Sequence, residues 1–205
     1  RIGDFYEMTA ASDRTEYRAI PYGNRTSSAY SISTTSRAVI GATDPVYYMS
    51  AAEAEYLLAE CYARLGDKGS AKTHYDKAVE FSFARWKHDD EIDEFIAAGK
   101  PYEFQDTDEE SMLKCILTQK WIASTRCQAA WFDINRTGIP EVSEYTTDGD
   151  PDDYVLGTLA YNPNSSLAKG QFAHRFIYSK ESLDYNTNAP TKVPAITEPL
   201  WWHKK

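Results

Sequence analysis

The chain has 205 residues, of which 42% are hydrophobic and 26% charged, the ordinary balance of a soluble globular protein with a sizeable core. Its net charge of −9, with no cluster of Lys and Arg, excludes general nucleic-acid affinity and disfavours steering to an anionic membrane surface. No run is apolar for long enough to span a bilayer, and three widely spaced cysteines fit neither a disulfide framework nor a zinc site. Cys61, Cys115 and Cys127 are read as buried small hydrophobes.

Residues 1–45 are expected to be an irregular loop segment with a few short strands. Turn residues (Pro21-Tyr22-Gly23-Asn24) and a Ser/Thr-rich run interrupt any period. A helical, TPR-like core is expected over 46–140. In residues 53–86, Ala54, Leu57, Leu58, Cys61 and Leu65 fall at helical spacing and predict one buried stripe. Gly66 and Asp67 make a turn, and Ser70 is read as the N-cap of a second helix. Ala71, Tyr75, Ala78, Val79 and Ser82 predict that helix's buried face, with His74 toward solvent. The pair should pack as an antiparallel hairpin. Leu58, Tyr62, Gly66, Asp67, Ala71, Tyr75 and Ala78 fit one tetratricopeptide register, with Phe83 where the closing proline is usual.

A short helix is expected over Ile92–Ala98, ended at Gly99. Thr107 with Glu110 is read as a capping box for a helix carrying Leu113, Ile116, Leu117, Lys120 and Trp121. Another helix covers about Gln128 to Ile134. Residues 141–205 read as a loop-rich tail. There Phe172–Tyr178 is extended or a strand, and Pro190, Pro194 and Pro199 keep the end extended over the surface.

Catalytic signatures are missing: there is no Walker loop, GxGxxG, GxSxG or HExxH. The four histidines have no metal-ligand spacing. Asp148, Asp150 and Asp152 alternate like a calcium loop, but Asp153 and Leu159 stand where its glycine and closing acid belong. That rejects an EF-hand and leaves a solvated acidic loop or an irregular calcium site.

Taken in order, these landmarks resemble the C-terminal part of the SusD/RagB family, outer-membrane nutrient-binding lipoproteins of Bacteroidetes. The chain opens on an Arg1-Ile2 context like the family's loop start. The segment Tyr48 to Glu60 is similar to a family helix, with Cys61 for its final Ala. Gln119-Lys120-Trp121-Ile122 and Ala130 to Pro140 are similar to the family's Gln-Lys-Trp and Arg-Thr-Gly-x-Pro motifs, with Asn135 for the first Arg and Ala130 before the Trp. Arg175 to Glu181 with Asn186 and Asn188 looks like its closing motif, with Ser179 for the usual Pro. The segment Ser82 to Trp86 also fits. In these motifs Trp121 and Trp131 are read as core pins, Arg136 as satisfying buried carbonyls or a carboxylate, and Glu181 as the tail's anchor.

The resemblance implies a mainly α, SusD-like fold: an α/α superhelix whose TPR-like hairpin and further helices support long irregular loops. It implies a non-enzymatic role without metal or cofactor. Such a protein captures an oligosaccharide or other small nutrient at the cell surface. It passes the ligand to a SusC-like TonB-dependent transporter. No nucleic acid is involved. Membrane attachment would run only through an N-terminal lipid anchor upstream of Arg1, since the chain reads as a fragment or processed product. The ligand loops are not carried by motif. Tyr6, Tyr17, Tyr22, Asn24 and Tyr30, aromatic and amide groups in a polar loop context, are the expected ligand-binding residues. The competing readings are a TPR scaffold for a protein segment, which one repeat serves poorly, and a glycoside hydrolase, whose acid pair the sequence does not single out.

Overall fold

The computed structural model of the chain describes residues 2–8, 17–19, 35–144, 155, 157–161 and 172–203. The chain divides into two compact units, one of residues 1–20 and 26–133, the other of 21–25 and 134–205.

The first unit is helical. A short α1 (Ile2–Phe5) precedes a bridge between Tyr6 and Ala38, and the hairpin follows as α2 (Ala51–Arg64) and α3 (Lys68–Ala84). A 3-10 turn (Asp89–Glu91) runs into α4 (Ile92–Phe95), and α5 (Glu109–Ala123) packs on α2 and α3. Helix α6 (Ala129–Thr137) begins in this unit and ends in the second.

The hairpin forms as expected, and α3 buries the expected residues Ala71, Tyr75, Ala78, Val79 and Ser82. Helix α2 turns the other way. Ala54, Leu57, Leu58, Cys61 and Leu65 are all exposed, and Ala52, Tyr56, Ala59, Glu60 and Ala63 are buried instead. The reason is distance between axes. Alanines on both helices let the backbones approach, which leucines at those positions would prevent. The gap is filled by Tyr56 and Tyr75, whose rings meet edge to face at 6.3 Å. The Tyr75 hydroxyl donates to the Tyr102 carbonyl at 2.8 Å, and burial pushes its pKa far up.

Of the three long helices with a side-chain N-cap, α2 is capped by Ser50 and the other two by aspartate. Asp67, rather than Ser70, caps α3 and accepts from the Ser70 N–H at 3.0 Å. Asp108, rather than Thr107, caps α5 in a reciprocal box with Ser111. The Ser70 and Ser111 N–H bonds hold both carboxyls below the usual range. His74 does not face solvent freely. It stacks on Tyr62 at 5.1 Å and bonds Glu55 at 2.6 Å.

In α5, Ile116, Leu117 and Lys120 are buried, but Leu113 and Trp121 are only half-buried and Trp131 is exposed. The tryptophans are therefore not core pins. The buried members of that motif are Gln119 and Lys120, and Lys120 reaches Asp133 at 2.7 Å. Cys115 and Cys127 are half-buried, whereas Cys61 is exposed.

In the second unit, a two-stranded parallel sheet pairs β1 (Val142–Glu144) with β2 (Leu159–Tyr161), where only loop was expected. Residues 172–178 form no strand and bend at Arg175, and α7 (Lys180–Tyr185) interrupts a tail read as extended. Glu181 is exposed in the first turn of α7, and Arg136 is exposed near the end of α6. The acidic loop at Asp148 to Asp153 lies outside the described residues. Among the described residues no helix is long and apolar enough to cross a membrane.

Candidate functional site

Within the first unit, the C-terminal ends of α3 and α5 meet the N-terminal end of α2, α1 and the segment 39–50 around a cavity of about 810 Å³. Each of the two C-terminal ends closes unusually. After α3, the Lys87 N–H bonds the Ala84 carbonyl at 3.1 Å and the His88 N–H bonds Phe83 at 3.2 Å. That crossed pair stops a helix with one residue in the left-handed region, usually glycine. Here the residue is Lys87, at φ 61°. Beyond α5, Arg126 is likewise left-handed at φ 70°. Glycine would avoid the steric cost in both places. These are the two non-glycine residues with positive φ among the described residues, and both line the cavity.

Aromatic rings and cations alternate on the wall. The Arg85 guanidinium lies 3.6 Å over the Tyr47 ring and 5.3 Å from that of Trp86. Arg126 approaches Trp86 from elsewhere at 5.7 Å. Trp86 is held by an edge-on contact with Phe5 at 4.9 Å. The lip is apolar and open: Val46, Tyr47, Tyr48 and Met49 are consecutive and all exposed, Tyr48 at 96%. Four such residues in a row are uncommon on a solvated surface and mark a contact site.

The acids are mostly engaged. Asp44 accepts from Arg126 at 3.0 Å and from the Gly41 N–H at 2.8 Å. A Cβ on Gly41 would sit 2.8 Å from the Asp44 carboxylate, so a side chain there would make Asp44 shift. Asp4 bonds His88 Nε2 at 2.8 Å, and Glu91 bonds Nδ1 of the same ring at 2.9 Å. These two bonds raise the His88 pKa above its ordinary value, Glu91 contributing most. Arg126 also donates to the Asp4 carbonyl at 3.3 Å. Arg85 differs, because its Nε is buried and has no hydrogen-bond partner.

A second polar cluster lies in the other unit. The His174 Nδ1–H donates to Asn135 Oδ1 over 2.7 Å, and its ring lies 4.8 Å from that of His203. Burial, and then His203, lowers its pKa. Among the described residues, no group of three His, Cys, Asp or Glu is placed to hold a metal ion.

Of the residues expected to bind ligand, the two described ones, Tyr6 and Tyr17, are not among the residues lining this cavity. Tyr6 is 40% exposed and pairs through its backbone with Ala38, next to the lining residue Val39. Tyr17 is half-buried, its hydroxyl 3.0 Å from where a Cβ on Gly3 would lie. Tyr22, Asn24 and Tyr30 lie outside the described residues. Tyr47, Arg85, Lys87 and Arg126 were not singled out by sequence. The available signal was the Val46–Met49 run, apolar yet placed before the helix that would bury it.

Comparison with known proteins follows the same line. A family model described as "Starch-binding associating with outer membrane" (SusD-like) matches residues 1–161. A SusD homolog from Bacteroides uniformis superposes with a TM-score of 0.69 at 24% identity, covering 99% of this chain and 46% of that one. A SusD homolog from Bacteroides thetaiotaomicron gives 0.70 at 20% identity, covering 99% and 48%. The chain thus spans about half the length of the solved structures it matches. The mainly helical fold is that of these homologs. Curated proteins gave no significant sequence match.

Proposed function

Because the chain belongs to the SusD-like family of starch-binding, outer-membrane-associated proteins, we propose that it is a non-enzymatic glycan-binding protein whose ligand enters the cavity between α1, α2, α3 and α5. The observation that carries this is the Tyr47–Arg85–Trp86 wall beneath an exposed apolar lip. Sugar C–H faces stack on rings while their hydroxyls need fixed polar partners, and here rings, guanidinium groups and carboxylates converge. In the full-length protein the ligand would be captured on the extracellular face, under a lipid anchor, and passed to a SusC-like TonB-dependent transporter. Tyr6, Tyr17, Tyr22, Asn24 and Tyr30 stand as further proposed contacts.

Calorimetry against a panel of oligosaccharides tests the reading. Tyr47→Ala should weaken binding by at least tenfold, while chromatography of the mixture shows the glycan intact. Cleavage of the glycan would instead favour a hydrolase. A protein-scaffold reading gains from one observation, the exposed Leu57, Leu58 and Leu65 on α2. If Leu58→Lys abolished capture of a protein partner and no glycan bound, that reading would replace the first.

A further inference from the structure

The cavity's charges are not balanced pair by pair. Of its acids, Asp44 is held by Arg126 and Asp4 by His88. Glu53 sits in the first turn of α2, where the N-terminal end of the helix favours a carboxylate. Of its cations, only Arg126 has an acidic partner. Arg85 and Lys87 line the cavity without an ion pair among the described residues. Arg85 is also fixed. Stacking on Tyr47 leaves the edge of the guanidinium plane, where its N–H groups lie, as the surface left to bond. One of those groups, Nε, is buried without a hydrogen-bond partner, which leaves the terminal N–H groups of the fork as the ones an incoming acceptor would meet. Lys87, two residues on, lines the same cavity from a left-handed backbone position usually taken by glycine.

We infer that the cavity is selective for an acidic glycan, one whose sugar carries a carboxylate or a sulfate, with the anionic group bound by Arg85 and Lys87 and the ring lying against the Tyr47 lip. This rests on the glycan-binding reading of the cavity. The chain's net charge of −9 does not oppose it at physiological salt. Screening there acts over roughly 8 Å, so the local lining decides. A planar guanidinium takes two oxygens of a carboxylate or sulfate at once, which a neutral hydroxyl cannot supply.

The test is calorimetry on the 205-residue chain. The probes are tetragalacturonic acid, its carboxyl-reduced neutral counterpart, a sulfated carrageenan tetrasaccharide and maltotetraose. Binding of at least one acidic probe is expected, about tenfold or more above its neutral partner. The affinity should fall as NaCl rises from about 50 to 500 mM. The two acidic arms distinguish uronate from sulfate. Arg85→Gln and Lys87→Gln should each erase the preference, and Arg85→Lys, which keeps the charge but not the fork, should restore part of it. Equal binding of acidic and neutral probes, unchanged by Arg85→Gln and by salt, would overturn the acidic preference and leave the glycan site standing. No binding of any probe would overturn both.

Discussion

The left-handed Lys87 gives a stability test that needs no ligand. An L residue in that region carries a cost of about 1–2 kcal/mol relative to the right-handed helix. Glycine escapes it but loses more backbone freedom on folding, about 0.5–1 kcal/mol against alanine. Comparing Lys87→Gly with Lys87→Ala cancels the loss of the charge, since both remove it. The glycine variant should therefore be the more stable by about 0.5–1 kcal/mol. For a chain of this length that is about 1–4 °C in Tm. Urea unfolding followed by far-UV circular dichroism, with equal slopes required, reads the difference. If the alanine variant proved equal or better, the strain at φ 61° would be absent from the folded protein. The argument that a charged side chain is kept there against a backbone cost would then fail.

Three further outcomes follow from other parts of the fold. Lys120→Met should cost about 3–5 kcal/mol in the same assay, because it removes the ammonium partner of Asp133 at a Lys position only 3% exposed, and Lys120→Met with Asp133→Leu should recover part of the loss. Ala59→Leu, which wedges the α2–α3 interface, should cost about 1–3 kcal/mol, whereas Leu65→Ala on the exposed face should stay within about 0.5 kcal/mol. NMR titration should place His88 above and His174 below the ordinary histidine pKa. The signs of their stability contributions are then opposite. His88's is fully present below its unfolded pKa and lost as pH rises through the raised folded value. His174's is present above its unfolded pKa and falls away as acid protonates the unfolded chain. His88→Gln should flatten the alkaline loss and His174→Gln the acid one; a histidine pKa on the wrong side for either residue would sink the assignment.

The two helices of the hairpin show why sequence gave one face and missed the other. On α3 a single apolar stripe exists, and periodicity finds it. Helix α2 carries two: Ala54, Leu57, Leu58, Cys61 and Leu65 on one side, Ala52, Tyr56, Ala59 and Ala63 on the other. Hydrophobicity favours the leucines. Close approach to the alanines of α3 favours the small residues, and at the contact it is the interaxial distance that decides. The caps failed for a similar reason. At α3 Ser70 was read as the cap where Asp67, three residues earlier, takes it, and at α5 the Thr107/Glu110 box was one residue out of register with the Asp108/Ser111 box that forms. Capping accounts for where a helix begins only once the competitor is named. The cavity was beyond local reading altogether. Arg126 meets Asp44 across 82 positions and Asp4 across 122, so no window of sequence contains the site.

A rival account of the cavity's cations needs no ligand at all. Helices α3 and α5 both direct their C-terminal ends at it, and the negative end of a helix dipole favours nearby cations by about 0.3–1 kcal/mol each. Arg85, Lys87 and Arg126 would then be helix caps by charge. The two accounts separate in one variant. If Lys87 serves only the helix end, Lys87→Gln should lower unfolding free energy by that amount and leave any glycan affinity untouched. If it serves an anionic ligand, Lys87→Gln should weaken acidic-glycan binding at least tenfold, and adding the glycan should raise the midpoint of the wild type far more than that of the variant. The geometry favours the second account. A cation needs no left-handed backbone to reach the last carbonyls of α3, since residues within the final turn could supply one, yet Ala84 and Phe81 stand there and the charge is carried past the end by Arg85 and Lys87, toward the cavity.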